Sequence, residues 1–187
     1  MPYPPLSLVQ SGSKVNVESA AGAGYGSEMP AGITIRVATP NEKKALEDLQ
    51  WRASLVWPEY REALLAHPDA IELPLEHVET KRTYVAERDG EILGFSVVLI
   101  RPDGQADLDG LFVEPAAWKQ GIGRRLIDEA ERLAARDGAE WLCVIANPRA
   151  RGFYDACGFE LTGNEQTRFG PAHLMRKRLT SLRTVEA

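Results

Sequence analysis

Apolar and polar residues alternate in two distinct periods from Ile33 onward, and each period predicts a type of element. Ile33, Ile35 and Val37 alternate with Thr34 and Arg36, the period of two that marks a half-buried strand. Thr39-Pro40-Asn41-Glu42 follows, a capping box with proline at the first helical position, so a helix is predicted to start there. Ala45, Leu46, Leu49, Ala53 and Val56 lie at helical spacing and predict its apolar stripe, and Pro58 limits its length. Residues 59–80 read as a second, less regular helical stretch broken near Pro68 and Pro74. Trp57 just before it and Tyr60, Arg61, His67 and His77 within it are either pocket-lining residues or, more simply, packing aromatics and surface histidines.

A run of strands comes next. Thr83–Glu87 and Ile92–Ile100 flank Arg88-Asp89-Gly90-Glu91, a tight hairpin signal because Asp-Gly tolerates the positive φ such turns require. Pro102-Asp103-Gly104 makes another turn, and Ala106–Val113 is a third strand of the meander. The pattern then changes. Glu114-Pro115 ends the strand, Lys119-Gln120-Gly121-Ile122-Gly123 forms a short glycine loop, and Leu126, Ile127, Ala130, Leu133 and Ala134 mark an amphipathic helix finished at Gly138. Trp141–Ala146 is an apolar strand, expected to be buried on both faces. A strand, loop, helix and strand in this order form a right-handed crossover, which makes the two strands parallel neighbours. The last strand is placed at Ala172–Leu179, with His173 in a surface or packing role and the Arg176–Arg178 charges at a solvated end.

Composition narrows the possibilities. The 187 residues suit one domain, and 44% apolar against 26% charged residues fits a globular core. Residues 33–180 are assigned to that domain. The net charge of −5 and pI near 5.3 argue against a general grip on nucleic acid or on an anionic membrane. No stretch approaches the length of a membrane span, and no signal-peptide pattern opens the chain, so a cytoplasmic location is expected. Cys143 and Cys157 have neither the number nor the spacing of a metal site, and both read as buried small residues; no metal is expected. Residues 1–32, rich in Gly, Pro, Ser and Ala, read as a flexible leader, or one that orders on a partner, and Met29 is placed as an alternative start. Residues 181–187 read as a C-terminal tail.

The glycine loop carries the first chemical signal. N–H groups at a helix start, together with the positive end of the helix dipole, suit phosphate, although the same glycines also serve a tight turn. The loop is neither a P-loop nor a dinucleotide fingerprint. Downstream, Asn147-Pro148-Arg149-Ala150-Arg151-Gly152-Phe153-Tyr154-Asp155-Ala156-Cys157-Gly158-Phe159 puts an asparagine directly after the parallel strand and an aromatic pair on a short helix. These two segments resemble the GNAT superfamily of acyl-CoA N-acyltransferases. The loop motif Gln/Arg-x-x-Gly-x-Gly/Ala is met at Gly121 and Gly123, with Trp118 in place of the polar first residue. The later motif is met at Asn147, Ala150, Phe153, Tyr154, Gly158 and Phe159.

The resemblance covers roughly Ile33 to Leu179 and implies a mixed α/β fold. Its sheet has six or seven mostly antiparallel strands, with the fourth and fifth parallel and splayed apart and helices on both faces. Acetyl-CoA is the implied co-substrate. Its pantetheine arm would run beside Leu111, Phe112 and Val113 and be held from the other side by Asn147. The pyrophosphate would meet the amides of Lys119, Gln120, Gly121, Ile122, Gly123 and Arg124, with charge from Arg124 or Arg125. Acyl transfer to an amine needs a base to free the attacking nitrogen and an acid for the leaving thiolate. Tyr154 matches the family's acid, with a packed tyrosine as the plain alternative. Asp107 falls at the family's fourth-strand base position and acts through water, and Asp109 is the second candidate; the alternative is that both carboxylates solvate the strand or pair with arginines. The implied activity is N-acetyl transfer to a primary amine by direct attack in a ternary complex. Its rival is a non-catalytic acyl-CoA-binding or sensing module. The acceptor and the oligomeric state, a homodimer included, stay open.

Overall fold

Four antiparallel strands lay down the first half of the sheet in the computed structural model, which describes residues 32–167 and 170–180. The expected leader, apart from Gly32, and the expected tail lie outside the described residues. The strands β1 (Thr34–Val37), β2 (Thr83–Arg88), β3 (Glu91–Ile100) and β4 (Gln105–Val113) pair in sequence order. Between β1 and β2 run a 3₁₀ turn at Pro40–Glu42, α1 (Lys43–Leu55), α2 (Pro58–Ala66), a second 3₁₀ turn at Pro68–Ala70 and α3 (Leu75–Glu79). The capping box forms: the Thr39 N–H donates to the Glu42 carboxylate at 2.7 Å. The first turn is 3₁₀, so the α-helix itself begins at Lys43. Its buried face is rotated from the predicted stripe. Ala45 and Val56 are exposed, while Gln50 and Ser54 join Leu46, Leu49 and Ala53 inside.

A crossover through α4 (Ile122–Arg136) leads to β5 (Trp141–Ala146), which runs parallel to β4. The helix buries the predicted stripe Leu126, Ile127, Ala130, Leu133 and Ala134 against the sheet, each large side chain contributing about 1.5–3 kcal/mol. Gly94 sets how close the helix comes. A Cβ there would lie 2.8 Å from the Phe112 carbonyl oxygen and 3.2 Å from Ile122, so any larger residue must push β3 away from β4 and α4. The chain continues through a 3₁₀ turn at Pro148–Ala150, α5 (Arg151–Ala156), β6 (Glu160–Thr167) and β7 (Gly170–Arg178). The seven strands are ordered β1-β2-β3-β4-β5-β7-β6, with β6 at the edge.

Helices cover both faces. One core joins α4 and α5 to Leu108, Leu111, Val113, Leu142 and Val144; the other joins α1 and α3 to Val85, Phe95, Val97 and Phe112. A satellite cluster gathers Trp57, Tyr60, Leu64, Ala70 and Ile71 under α2. β5 departs from the expectation of burial on both faces: Leu142, Val144 and Ala146 are buried, while Trp141, Cys143 and Ile145 between them are half-buried. The cause is coverage, since α4 and α5 pack on one face only. Cys143 is thus a half-buried thiol donating to Gln105 Oε1 at 3.2 Å, whereas Cys157 is buried as expected. The basic end of β7 is engaged as well as solvated: the Arg176 guanidinium lies 4.0 Å from the Trp141 ring centroid, and Lys177 pairs with Glu131. Among the described residues, no helix is long and apolar enough to cross a membrane.

Candidate active site

The parallel pair β4–β5 is joined at Gln105–Trp141, Ala106–Leu142 and Asp107–Cys143, and its register stops there. Beyond that point β4 stays with β3 as far as Val113, and β5 stays with β7 as far as Ala146. Each strand follows its antiparallel neighbour, so a split opens between their C-terminal ends. This is the splay that the family resemblance implied.

A bulge adjusts the β4 side of the split. Val97 pairs with Gly110 and Val98 with Leu108, leaving Asp109 as the extra residue. Before the bulge Ala106 and Leu108 face the α4 core; after it Leu111 and Val113 do. The side chain of Phe112 packs in the other core, its ring centroid 5.3 Å from that of Phe95, so only its backbone can serve the split. Asp107 lies at the root of the split on the α1 face, opposite Leu99, which packs on the α1 core. Burial raises its carboxyl above the ordinary aspartate value, against the opposing pull of Arg101, whose Nη1 lies 3.4 Å away. Arg101 holds Asp103 more closely, at 2.6 Å.

The glycine loop forms the far lip. Lys119 and Gly121 both hold left-handed φ values, 65° and 76°. Left-handed residues of this kind gather backbone N–H groups into anion-binding concavities. Gly121 caps α4, and the first bond of the helix runs from Arg125 N–H to the Gly121 carbonyl, so the N–H groups of the first turn point out of the helix start. A Cβ on Gly121 would meet nothing within 4 Å, which means that the space before the loop is open. Arg88 Nη1 donates to Gln120 Oε1 at 3.1 Å and anchors the loop to the β2–β3 hairpin. The Arg124 side chain donates to the Ala156 carbonyl at 2.9 Å, tying α4 to α5.

The β5 lip carries Asn147 and, through α5, Tyr154. Asn147 is 2% exposed; its Oδ1 accepts the Arg149 N–H at 2.8 Å, while its buried Nδ2 has no hydrogen-bond partner among the described residues. An amide donor left this way suits a ligand carbonyl. Tyr154 is fully buried, edge-on to Phe153 and Phe159 at 5.1 and 5.3 Å, in the same core as Leu111, Val113 and Ile122. One feature absent from the sequence reading spans the lips. Trp118 stacks on Trp57 at 5.9 Å and donates its Nε1–H to the Val113 carbonyl at 2.9 Å, so the residue that departs from the loop motif braces the end of β4. Its only trace in the sequence was that departure. Trp57 and Tyr60 are buried; His67 is exposed and His77 half-buried.

Residues 44–159, more than half of the chain, match the Acetyltransferase (GNAT) family. The chain belongs to that family. The chain is 32% identical over 91 residues to an uncharacterized N-acetyltransferase of Mycobacterium tuberculosis, covering 47% of this chain and 58% of that protein. It is 30% identical over 89 residues to a probable N-acetyltransferase of the same organism, covering 45% and 49%. The matches thus span about half the length of these curated relatives. Among solved structures, the PaiA N-acetyltransferase of Thermoplasma acidophilum in complex with coenzyme A superposes with a TM-score of 0.63. The identity is 22%, over 78% of this chain and 98% of that one. At that identity the likeness establishes the GNAT fold, and the parallel β4–β5 pair with helices on both faces agrees with it.

Proposed function

We propose that this GNAT protein is an N-acetyltransferase that moves the acetyl group of acetyl-CoA to a primary amine within a ternary complex. The observation that carries the reading is the β4–β5 split, with the glycine loop on one lip, Asn147 and Tyr154 on the other, and Asp107 at its root. The residues fit the co-substrate: the start of α4 and the open space before Gly121 suit the pyrophosphate, and the orphaned Nδ2 of Asn147 suits a pantetheine carbonyl. Lys119 to Arg124 bind the pyrophosphate, and the backbone of Leu111, Phe112 and Val113 lies along the pantetheine.

The amine nitrogen attacks the thioester carbonyl carbon, the C–N bond forms and the C–S bond breaks. One proton leaves the ammonium for Asp107 through water before attack; as the C–S bond breaks, the Tyr154 hydroxyl gives its proton to the departing sulfur, and the second proton shed by the nitrogen on forming the amide restores the hydroxyl. A carboxyl raised by burial is a stronger base than an exposed one, which supports Asp107 over a merely solvating role. Transfer is direct. The Cys143 thiol is pushed up by burial and the Asp107 charge, and Cys157 is buried in the core, so neither is poised as a thiolate to carry the acyl group.

A second reading, a non-catalytic acyl-CoA-binding module, draws support from the complete burial of Tyr154 among aromatic rings. Titrating acetyl-CoA with and without a panel of amines, while following free thiol, separates the two. Amine-dependent thiol release supports transfer; saturable binding with no release under any amine supports the module.

A further inference from the structure

The Trp57 indole N–H is buried, its residue 7% exposed, and has no hydrogen-bond partner among the described residues. An unmet buried donor is costly, so its persistence needs a reason. Two other buried polar atoms in the same state are accounted for by position. Asn147 Nδ2 belongs to the acyl-CoA lip, and Ser96 Oγ lies between Tyr84 and Leu111 on the sheet face under α4.

Trp57 bridges the open end of the split. It stacks on Trp118, which is bonded to the end of β4 through the Val113 carbonyl. Across its ring, Arg149, two residues beyond the end-of-β5 Asn147, puts its guanidinium carbon 5.9 Å from the Trp57 centroid. One turn along α2, Tyr60 reaches the β6–β7 hairpin, where a Cβ on Gly170 would sit 3.7 Å from its ring. The start of α2 therefore touches both lips and the hairpin beside them. It packs in a cluster with Trp51 and Leu55 of α1, on the α1 side of the sheet that also carries Asp107. The glycine loop and α4 claim the opposite side for the acyl donor, which leaves the Trp57 side for the acceptor.

We infer that the Trp57 indole N–H orients the acyl acceptor by donating to one of its oxygens, and that the acceptor is a primary amine bearing a carboxylate. An indole N–H needs an oxygen acceptor. The Arg149 guanidinium beside the same ring favours an anionic one. This inference rests on the transferase reading and adds the acceptor class to it.

The test is a matched panel of amino acids and their decarboxylated amines with acetyl-CoA, free thiol followed. The wild-type protein should favour the carboxylate-bearing member of each pair by about tenfold or more in kcat/KM. Trp57→Phe, which keeps the ring, should raise KM for those members about tenfold with little change in kcat, and leave the decarboxylated amines and coenzyme A affinity unchanged. Arg149→Gln, at an exposed position, should erode the same preference without loss of melting temperature. A Trp57→Phe effect equal on both members, or none on either, overturns the inference, as does a wild-type preference for the decarboxylated amines. If no amine is acetylated, the transferase reading fails separately. The Trp57 indole ¹⁵N–¹H resonance of the wild-type protein, titrated with amino acids in the presence of coenzyme A, then decides: a shift with amino acids and not with decarboxylated amines upholds the site, and no shift overturns it.

Discussion

The sheet's two faces are built differently. Under α4 and α5 runs one continuous core from Ile33 and Ala86 through Leu126 and Ile127 to Phe153 and Met175, and the long crossover helix brings its start to the split. The α1 face is divided into two clusters, bridged by α2 of nine residues and α3 of five, with one 3₁₀ turn between them. A long helix fixes its N-terminal amides rigidly, as recognition of a fixed phosphate requires. Short helices on a patched core can be recombined without unfolding the sheet, which suits the part of a transferase that chooses its acceptor. Substitutions on the two faces should therefore differ in whether they stop transfer, stop binding or only lower stability.

The largest effect is expected at the β5 lip of the split, under α5. Tyr154→Phe should lower turnover by ~10²–10⁴-fold while leaving acetyl-CoA affinity nearly unchanged, since in the proposed mechanism the hydroxyl gives a proton and holds no cofactor. Full turnover with chemistry rate-limiting would remove Tyr154 as the acid. On the α4 side, Gly121→Glu should weaken coenzyme A by about 10²-fold or more, because it puts a carboxylate where phosphate charge belongs. Calorimetry checks this, with circular dichroism confirming that the fold survives the strained φ of that position.

On the α1 side, Asp107→Asn should cut transfer about tenfold at neutral pH and be partly rescued at high pH, where more acceptor amine is already neutral. Its stability should move the other way. A carboxyl raised by burial contributes stability only below its ordinary value near 3.8 and loses it as pH rises through the folded value. The amide variant should therefore melt no lower than wild type at pH 7, with any advantage gone below about pH 4; a clear drop in melting temperature would make Asp107 a structural ion-pair partner of Arg101.

The smallest effect on transfer is expected at an ion pair away from the split. Glu42 accepts from Arg36 Nη2 at 2.7 Å and from the Thr39 N–H, and these bonds, Arg36 first, hold its carboxyl down to about 2. Such a group stabilises above its ordinary value of 4.5 and loses that contribution as pH falls toward 2. Glu42→Gln should cost about 2 kcal/mol at pH 7, or roughly 4–8 °C in melting temperature, with the difference vanishing between about pH 4.5 and 2. Acetyl-CoA affinity should not change. A fall in affinity would mean that the α1 face also supports the donor site.

The difference between the faces also governs what could be read from the chain. Leu126, Ile127, Ala130, Leu133 and Ala134 repeat at helical spacing before Gly138, and α4 lies where they predict it, because one long stripe meets one flat core. The hairpin at Asp89-Gly90 and the two motifs at Gly121 and Asn147 were legible for the same local reasons. β6 was not: Glu160–Thr167 is an edge strand, exposed or half-exposed along its length, so no apolar alternation announces it. In α1 the polar Gln50 and Ser54 are buried where a hydrophobic pattern could not place them. The Trp57–Trp118 stack joins residues 61 positions apart in sequence, through a packing contact that neither local sequence encodes.

Amide hydrogen exchange with and without coenzyme A tests the central claim most directly, since it reports where the ligand sits without assuming any activity. Protection should concentrate in two segments, Leu111–Val113 on β4 and Lys119–Arg124 at the start of α4, with Asn147 and its neighbours as a third, while β1 and β2 stay unchanged. Protection confined to other segments, or uniform across the sheet, would contradict the assignment of the split as the acyl-CoA site.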